Sequence, residues 1–162
     1  PGPRMTEARL SQSAPPPNEP AGPFDKPTQY DARLLASAIR ELSDAPAKLR
    51  QAVAGLSSAQ LDTPYRNWTL RQIVHHLGDS HQHAYCRLKF ALTEATPTIK
   101  PYDESRWSEL LDAKTGDIEP SLRLLEGLHA RWAAIAASLT EADWQRGFFH
   151  PEANETIPLW RS

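Results

Sequence analysis

Apolar residues recur at helical spacing in three separated stretches of the chain. From Tyr30 to Leu56, the residues Leu34, Leu35, Ile39, Leu42, Leu49, Val53 and Leu56 fall near one stripe. Pro46 interrupts it, and proline lacks the N–H that an interior helical position donates. This predicts a first helix, kinked or split at Pro46. The turn formers of SSAQLDTPYRN close it, and Thr69 offers a cap for a second helix running to about Thr93, where Thr96-Pro97 opposes continuation. A third stripe, Leu122, Leu125, Leu128, Trp132, Ile135 and Leu139, predicts a helix that stops before Thr140 and Asp143, which open another turn. No segment alternates apolar and polar residues over a convincing strand length, so the pattern predicts an all-α helical bundle. The tail RGFFHPEANETIPLWRS reads as a loop leading into an unfinished element.

Two other segments differ in composition. Residues 1–27 include SAPPPNEPAGPFDKP, whose prolines and small residues resist helix and offer little to bury, so they predict an extended or disordered arm ahead of one helical domain at 28–162. The connection TPTIKPYDESRWSELLDAKTGDIEP, residues 96–120, carries three prolines. A connection this long commonly covers a site, and WSELLDA within it predicts a short helix.

Charge and cysteine content narrow the setting. The 162 residues carry a formal net charge of -2 with the signs interleaved, so neither nucleic acid nor a membrane surface is an expected partner. The single cysteine, Cys86, excludes an internal disulfide framework and predicts a reducing compartment, the cytoplasm. No window reaches the length of a membrane span and no secretory signal pattern opens the sequence.

The chemistry concentrates in WTLRQIVHHLGDSHQH, residues 68–83, which puts His75, His76, His81 and His83 on one predicted helix. At 100° per residue, Leu70, Ile73, Val74, Leu77, Ala84 and Leu88 form the core stripe, and His75 points away from it. His76, Ser80, His83 and Arg87 line one flank, while His81 lies in the apolar sector. His76 and His83 stand about 10 Å apart along the axis, too far to share an ion. Only Asp79 or Ser80 could act with His76 locally, so the helix supplies one ligand of an incomplete metal site, with Asp79 as the acceptor for the ring's free nitrogen. The plain alternative for each histidine is a solvated or hydrogen-bonded ring. His129 is expected to be a partly buried hydrogen-bonding group, Cys86 a core filler, and the five tryptophans packing anchors.

The blocks APAKLRQAV, LDTPYRNWTLRQIVHHLGDSH, LTEATPTIKPYDESRWSEL, LLEGLHARW and RGFFHPE, in that order, resemble the YfiT branch of the DinB/YfiT-like superfamily from about Pro23 to Trp160. The resemblance implies an up-down four-helix bundle, often a homodimer, acting as a metal-dependent hydrolase with one zinc or nickel per subunit held by three histidines. In the family's W-T-x-R-Q-x-V-H-H-L motif the second histidine is the ligand, which maps onto His76. The other two ligands belong to an H-x-x-x-H pair on the last helix and are expected beyond Ser162, so most of that helix is expected to be missing from this chain. The turn at YRNWT is shorter than in the family, where a glycine-containing insertion is common. Ser80, His83, Asp103, Glu104 and Arg106 are the expected pocket residues, and no general base can be singled out.

A three-histidine metal with an open position activates water and polarises a carbonyl, which predicts hydrolysis of a small-molecule substrate. Relatives that transfer low-molecular-weight thiols such as bacillithiol make a metal-dependent S-transferase the alternative. From a different class comes a non-catalytic, truncated helical module with an exposed apolar groove, which would be poorly soluble or dimeric.

Overall fold

Three long helices carry the fold in a computed structural model that describes residues 13–17 and 26–162: α1 (Ala32–Val53), α3 (Leu70–Thr93) and α6 (Glu119–Ser138). Asp31 caps α1 by accepting from the Arg33 and Leu34 amides. Pro46 neither ends nor splits that helix; it is buried within it. Its missing N–H leaves the Leu42 carbonyl without its usual helical donor, and a side chain of α6 takes the place. Of the segment assigned to the arm, residues 13–17 lie against the entry to α3, where the Ala14 carbonyl accepts from Trp68 Nε1 at 2.8 Å and the Pro15 carbonyl from Asn67 Nδ2 at 3.2 Å.

A short α2 (Ser58–Leu61) and a hairpin of β1 (Pro64–Tyr65) and β2 (Trp68–Thr69) lead into α3. The compact turn places Arg66 at φ 54°, a conformation uncommon for a residue with a side chain. Thr69 and Gln72 then form a reciprocal capping box, each side chain bonding the other's backbone amide.

The connection after α3 holds α4 (Glu104–Trp107) and α5 (Leu111–Thr115), so the single short helix expected at WSELLDA is two. The tail is not a loop. After α7 (Glu141–Trp144), β3 (Gly147–His150) and β4 (Glu155–Pro158) pair antiparallel with Phe148 opposite Ile157, and a 3-10 turn, Leu159–Arg161, follows. Four-residue strands show too few alternations to stand out in a sequence. What stabilises them is tertiary: Phe148 is buried, and Phe149 bonds across to Pro97 and Ile99. Gly147 is required there, since a Cβ would collide with the Ile157 carbonyl oxygen.

The core lies in two clusters. Leu88, Ala91, Ile99, Ala136, Trp144, Phe148 and Leu159 form one, and Leu61, Val74, Ile118 and Leu122 the other. Between α1 and α3, over α6, an apolar groove of about 560 Å³ stays open, lined by Leu34, Leu35, Leu88, Trp132, Trp144 and Trp160 among others. Among the described residues no helix is long and apolar enough to cross a membrane.

Candidate functional site

The first turns of α3 fix the loop that follows it. Arg71, almost fully buried, pairs through Nε with Asp62 at 2.7 Å, donates to the Gly116 carbonyl at 2.7 Å and reaches Ser58 Oγ at 2.7 Å. Gln72 donates to the Ser108 carbonyl at 2.9 Å. Arg71 and Gln72 are therefore the pins that hold the 96–118 segment across the helix.

His75 does not point away from the core. It is buried, with Nδ1 2.8 Å from Ser121 Oγ and Nε2 a long 3.5 Å from the Gly116 carbonyl. The core here has walls from both α6 and the loop, and so wraps further around α3 than its aliphatic stripe. His81, within the apolar sector, stacks on His129 with ring centroids 4.8 Å apart. His129, 2% exposed, places Nδ1 2.6 Å from the Leu42 carbonyl that Pro46 leaves without a helical donor. A carbonyl only accepts, so Nδ1 carries the proton; in the neutral ring Nε2 is then the acceptor for His81 Nδ1–H at 2.7 Å. That leaves His81 Nε2 as a lone pair. Burial first, then the neighbouring His129 and His76, push the His81 pKa down to about 4, so the ring is neutral at pH 7.

The other flank of α3 is organised by aromatic rings. His76 meets Trp68 edge-on at 5.0 Å between centroids. His83 lies flat on Tyr102, 4.1 Å apart and 4° from parallel, with Trp107 against its edge at 5.3 Å. Neither imidazole has a hydrogen-bond partner among the described residues. Desolvation holds the His76 pKa below its ordinary value against the raising pull of Glu104, and it lowers His83 as well, where the Arg87 charge acts in the same direction. Asp79, one turn after His76, is pushed up to about 6, chiefly by desolvation and then by the charge of Asp112. Tyr102 is shifted upward by burial and by Glu104 and Asp79.

The structure thus brings His76, Asp79 and His83 under one loop with Tyr102 and Glu104. It does not bring in all the expected residues. Ser80 Oγ turns back to the Leu77 carbonyl at 3.5 Å. Asp103 caps α4, and Arg106 pairs with it at 3.3 Å on the exposed side. Sequence reasoning missed Tyr102, whose signal is only an aromatic inside a polar segment.

The donor set decides what the strip can hold. Low-pKa, half-buried His76 offers a neutral imidazole, the form that ligates a metal. Among the described residues, however, no group of three or more His, Cys, Asp or Glu side chains could hold a metal ion. His76 fits as one ligand; the residues described do not complete a site.

Comparison with known proteins bears on this arrangement. The profile of the DinB superfamily matches residues 41–161. A protein named "Putative metal-dependent hydrolase YfiT" from Bacillus subtilis is 54% identical over 123 residues, spanning 75% of this chain and 69% of its own. A similarly named hydrolase from Bacillus licheniformis is 49% identical over 145 residues, 88% of this chain and 82% of its own. Among solved structures, Bacillus subtilis YfiT, described as "a probable metal-dependent hydrolase with an unusual four-helix bundle topology", matches with a TM-score of 0.84 at 47% identity, over 88% of this chain and 82% of that one.

Proposed function

Because this chain belongs to the DinB superfamily and shares the YfiT fold, we propose that it is a metal-dependent hydrolase in which His76 supplies one ligand to a zinc or nickel ion. The observation that carries the reading is the setting of His76: an imidazole free of hydrogen bonds among the described residues, its pKa lowered by desolvation, edge-on to Trp68 and one turn from a carboxyl of raised pKa. The family resemblance implies two further histidine ligands, which the described residues do not supply. Such an ion supplies Lewis acidity. This chain's residues do the rest: Trp68 fixes the His76 ring edge-on, and Asp79, near its midpoint at pH 6, can hold or release a proton beside the ligand. The substrate is a small molecule, and the setting is a cytoplasmic homodimer.

The test is the metal content of the purified protein. About one zinc or nickel per subunit is expected, and His76→Ala should lower the affinity by at least about 100-fold. Ester and amide hydrolysis should follow the metal, whereas activity only with a thiol co-substrate would move the reading to S-transfer. Metal-free wild-type protein would leave a helical module without this chemistry.

A further inference from the structure

Two buried polar atoms under the loop lack a hydrogen-bond partner among the described residues, Arg87 Nε and Tyr102 Oη. Buried polar groups are nearly always paired, so each such atom calls for an explanation. A third, Tyr85 Oη, belongs to a different neighbourhood, with Lys89 and Arg131 over its ring. Arg87 and Tyr102 share one. Tyr102 stacks on His83, one helical turn before Arg87, and the Arg87 charge is felt by both His83 and Tyr102. Arg87 enters no ion pair among the described residues, although Glu104 acts on the same His83 and Tyr102.

The neighbourhood selects a ligand. One guanidinium fork with a phenol beside it matches the two oxygens of a carboxylate, the fork bonding in parallel and the phenol donating a third bond. Asp79 and Glu104 both act on Tyr102, and Glu104 on His83 as well, so a doubly charged phosphate is repelled more strongly than a singly charged carboxylate paired with Arg87. Trp107, 39% exposed and 4.8 Å from the Tyr102 ring, offers a flat apolar wall next to the charge.

We propose that Arg87 and Tyr102 form an anchoring subsite for a carboxylate, so that the substrate is a carboxylate-bearing amide or ester whose reacting bond lies toward His76. Helical side chains lean toward the N-terminus, which puts the Arg87 head over the turn of His83, on the order of 10 Å from His76 along the axis. The substrate is thus an extended small acid. The catalytic sense of this subsite rests on the reading of His76 as a metal ligand; the capture of the anion does not.

The experiment titrates benzoate and its uncharged isostere benzamide into the full-length protein by calorimetry, for the wild type and for Arg87→Gln, Arg87→Lys, Tyr102→Phe and His76→Ala. Benzoate should bind at least about tenfold more tightly than benzamide. Arg87→Gln should abolish that preference, Tyr102→Phe should reduce it about threefold, and Arg87→Lys should retain part of it. Should Arg87→Gln fail to fold, the Lys and Phe variants carry the test. His76→Ala should keep the preference while losing the metal. Equal binding of the two probes by the wild type overturns the subsite, as does a preference that survives Arg87→Gln. A preference lost in His76→Ala but kept in Arg87→Gln puts the carboxylate on the metal and also overturns it. Metal-free wild-type protein with the preference intact defeats the hydrolase and leaves the subsite standing.

Discussion

On the side of α3 that meets α6, His75 bonds Ser121, and His81 bonds His129, which bonds the Leu42 carbonyl. Under the 96–118 loop, His76 and His83 touch the faces and edges of Trp68, Tyr102 and Trp107 and have no hydrogen bond among the described residues. Both pairs sit on the same helix and are partly desolvated. The difference is where their nitrogens go. Rings whose nitrogens are already committed hold helices together, while rings with uncommitted nitrogens beside a carboxyl of raised pKa are available to a ligand. Histidine count and spacing alone cannot make this distinction.

The contrast breaks most visibly in stability. Removing His129 by His129→Ala strands the Leu42 carbonyl, unpairs His81 and opens a cavity in a fully buried position. A loss of about 3–4 kcal/mol in urea unfolding is expected. His76→Ala, with no hydrogen bond to lose, should cost less than about 1 kcal/mol while removing the metal affinity. Equal costs would erase the distinction between the two sides.

Acid should act on the committed side next. The His81 pKa falls from 6.5 to about 4 on folding, so the unfolded chain takes up the proton first. The contribution is full above pH 6.5 and is lost as pH falls toward 4. With allowance for partial solvent screening, about 1–2 kcal/mol should disappear between pH 7 and 4.5. His81→Asn should flatten that part of the stability–pH curve, because it keeps a donor for His129 and does not titrate.

The smallest effect belongs to the open side and has the opposite sign. Asp79 rises from 3.8 to about 6 on folding, so the folded state binds the proton more tightly and stability declines as pH climbs through that window. Asp79→Asn should therefore stabilise the metal-free protein by about 1 kcal/mol at pH 7.5, discounted for half exposure, and by nothing below pH 4. Chemical denaturation at the two pH values measures it. A destabilised Asp79→Asn protein at pH 7.5 would give the carboxylate a structural partner and blur the contrast.

Much of the helical frame is legible in the chain. Thr69 and Thr93 bound α3 as its cap chemistry and the following Thr96-Pro97 predict, and the flank carrying His76 and His83 follows from 100° geometry. The reading of His75 as pointing away from the core fails for a physical reason. Leu70, Ile73, Val74 and Leu77 define one stripe, but Gly116 and Ser121 arrive from elsewhere to bury His75 on another. Arg71 and Gln72 are buried by partners in the 96–118 segment, which no local pattern in the sequence reveals. Tyr102 carries no periodicity, since its position depends on stacking against a side chain nearly twenty positions earlier.

Pro46 has a reach well beyond its own turn. Any other residue there would bring an amide proton that competes with His129 for the same oxygen, freeing that imidazole to rotate or exchange tautomers. The ring orientation of His81, two helices away, is in this sense set by an atom that proline does not have.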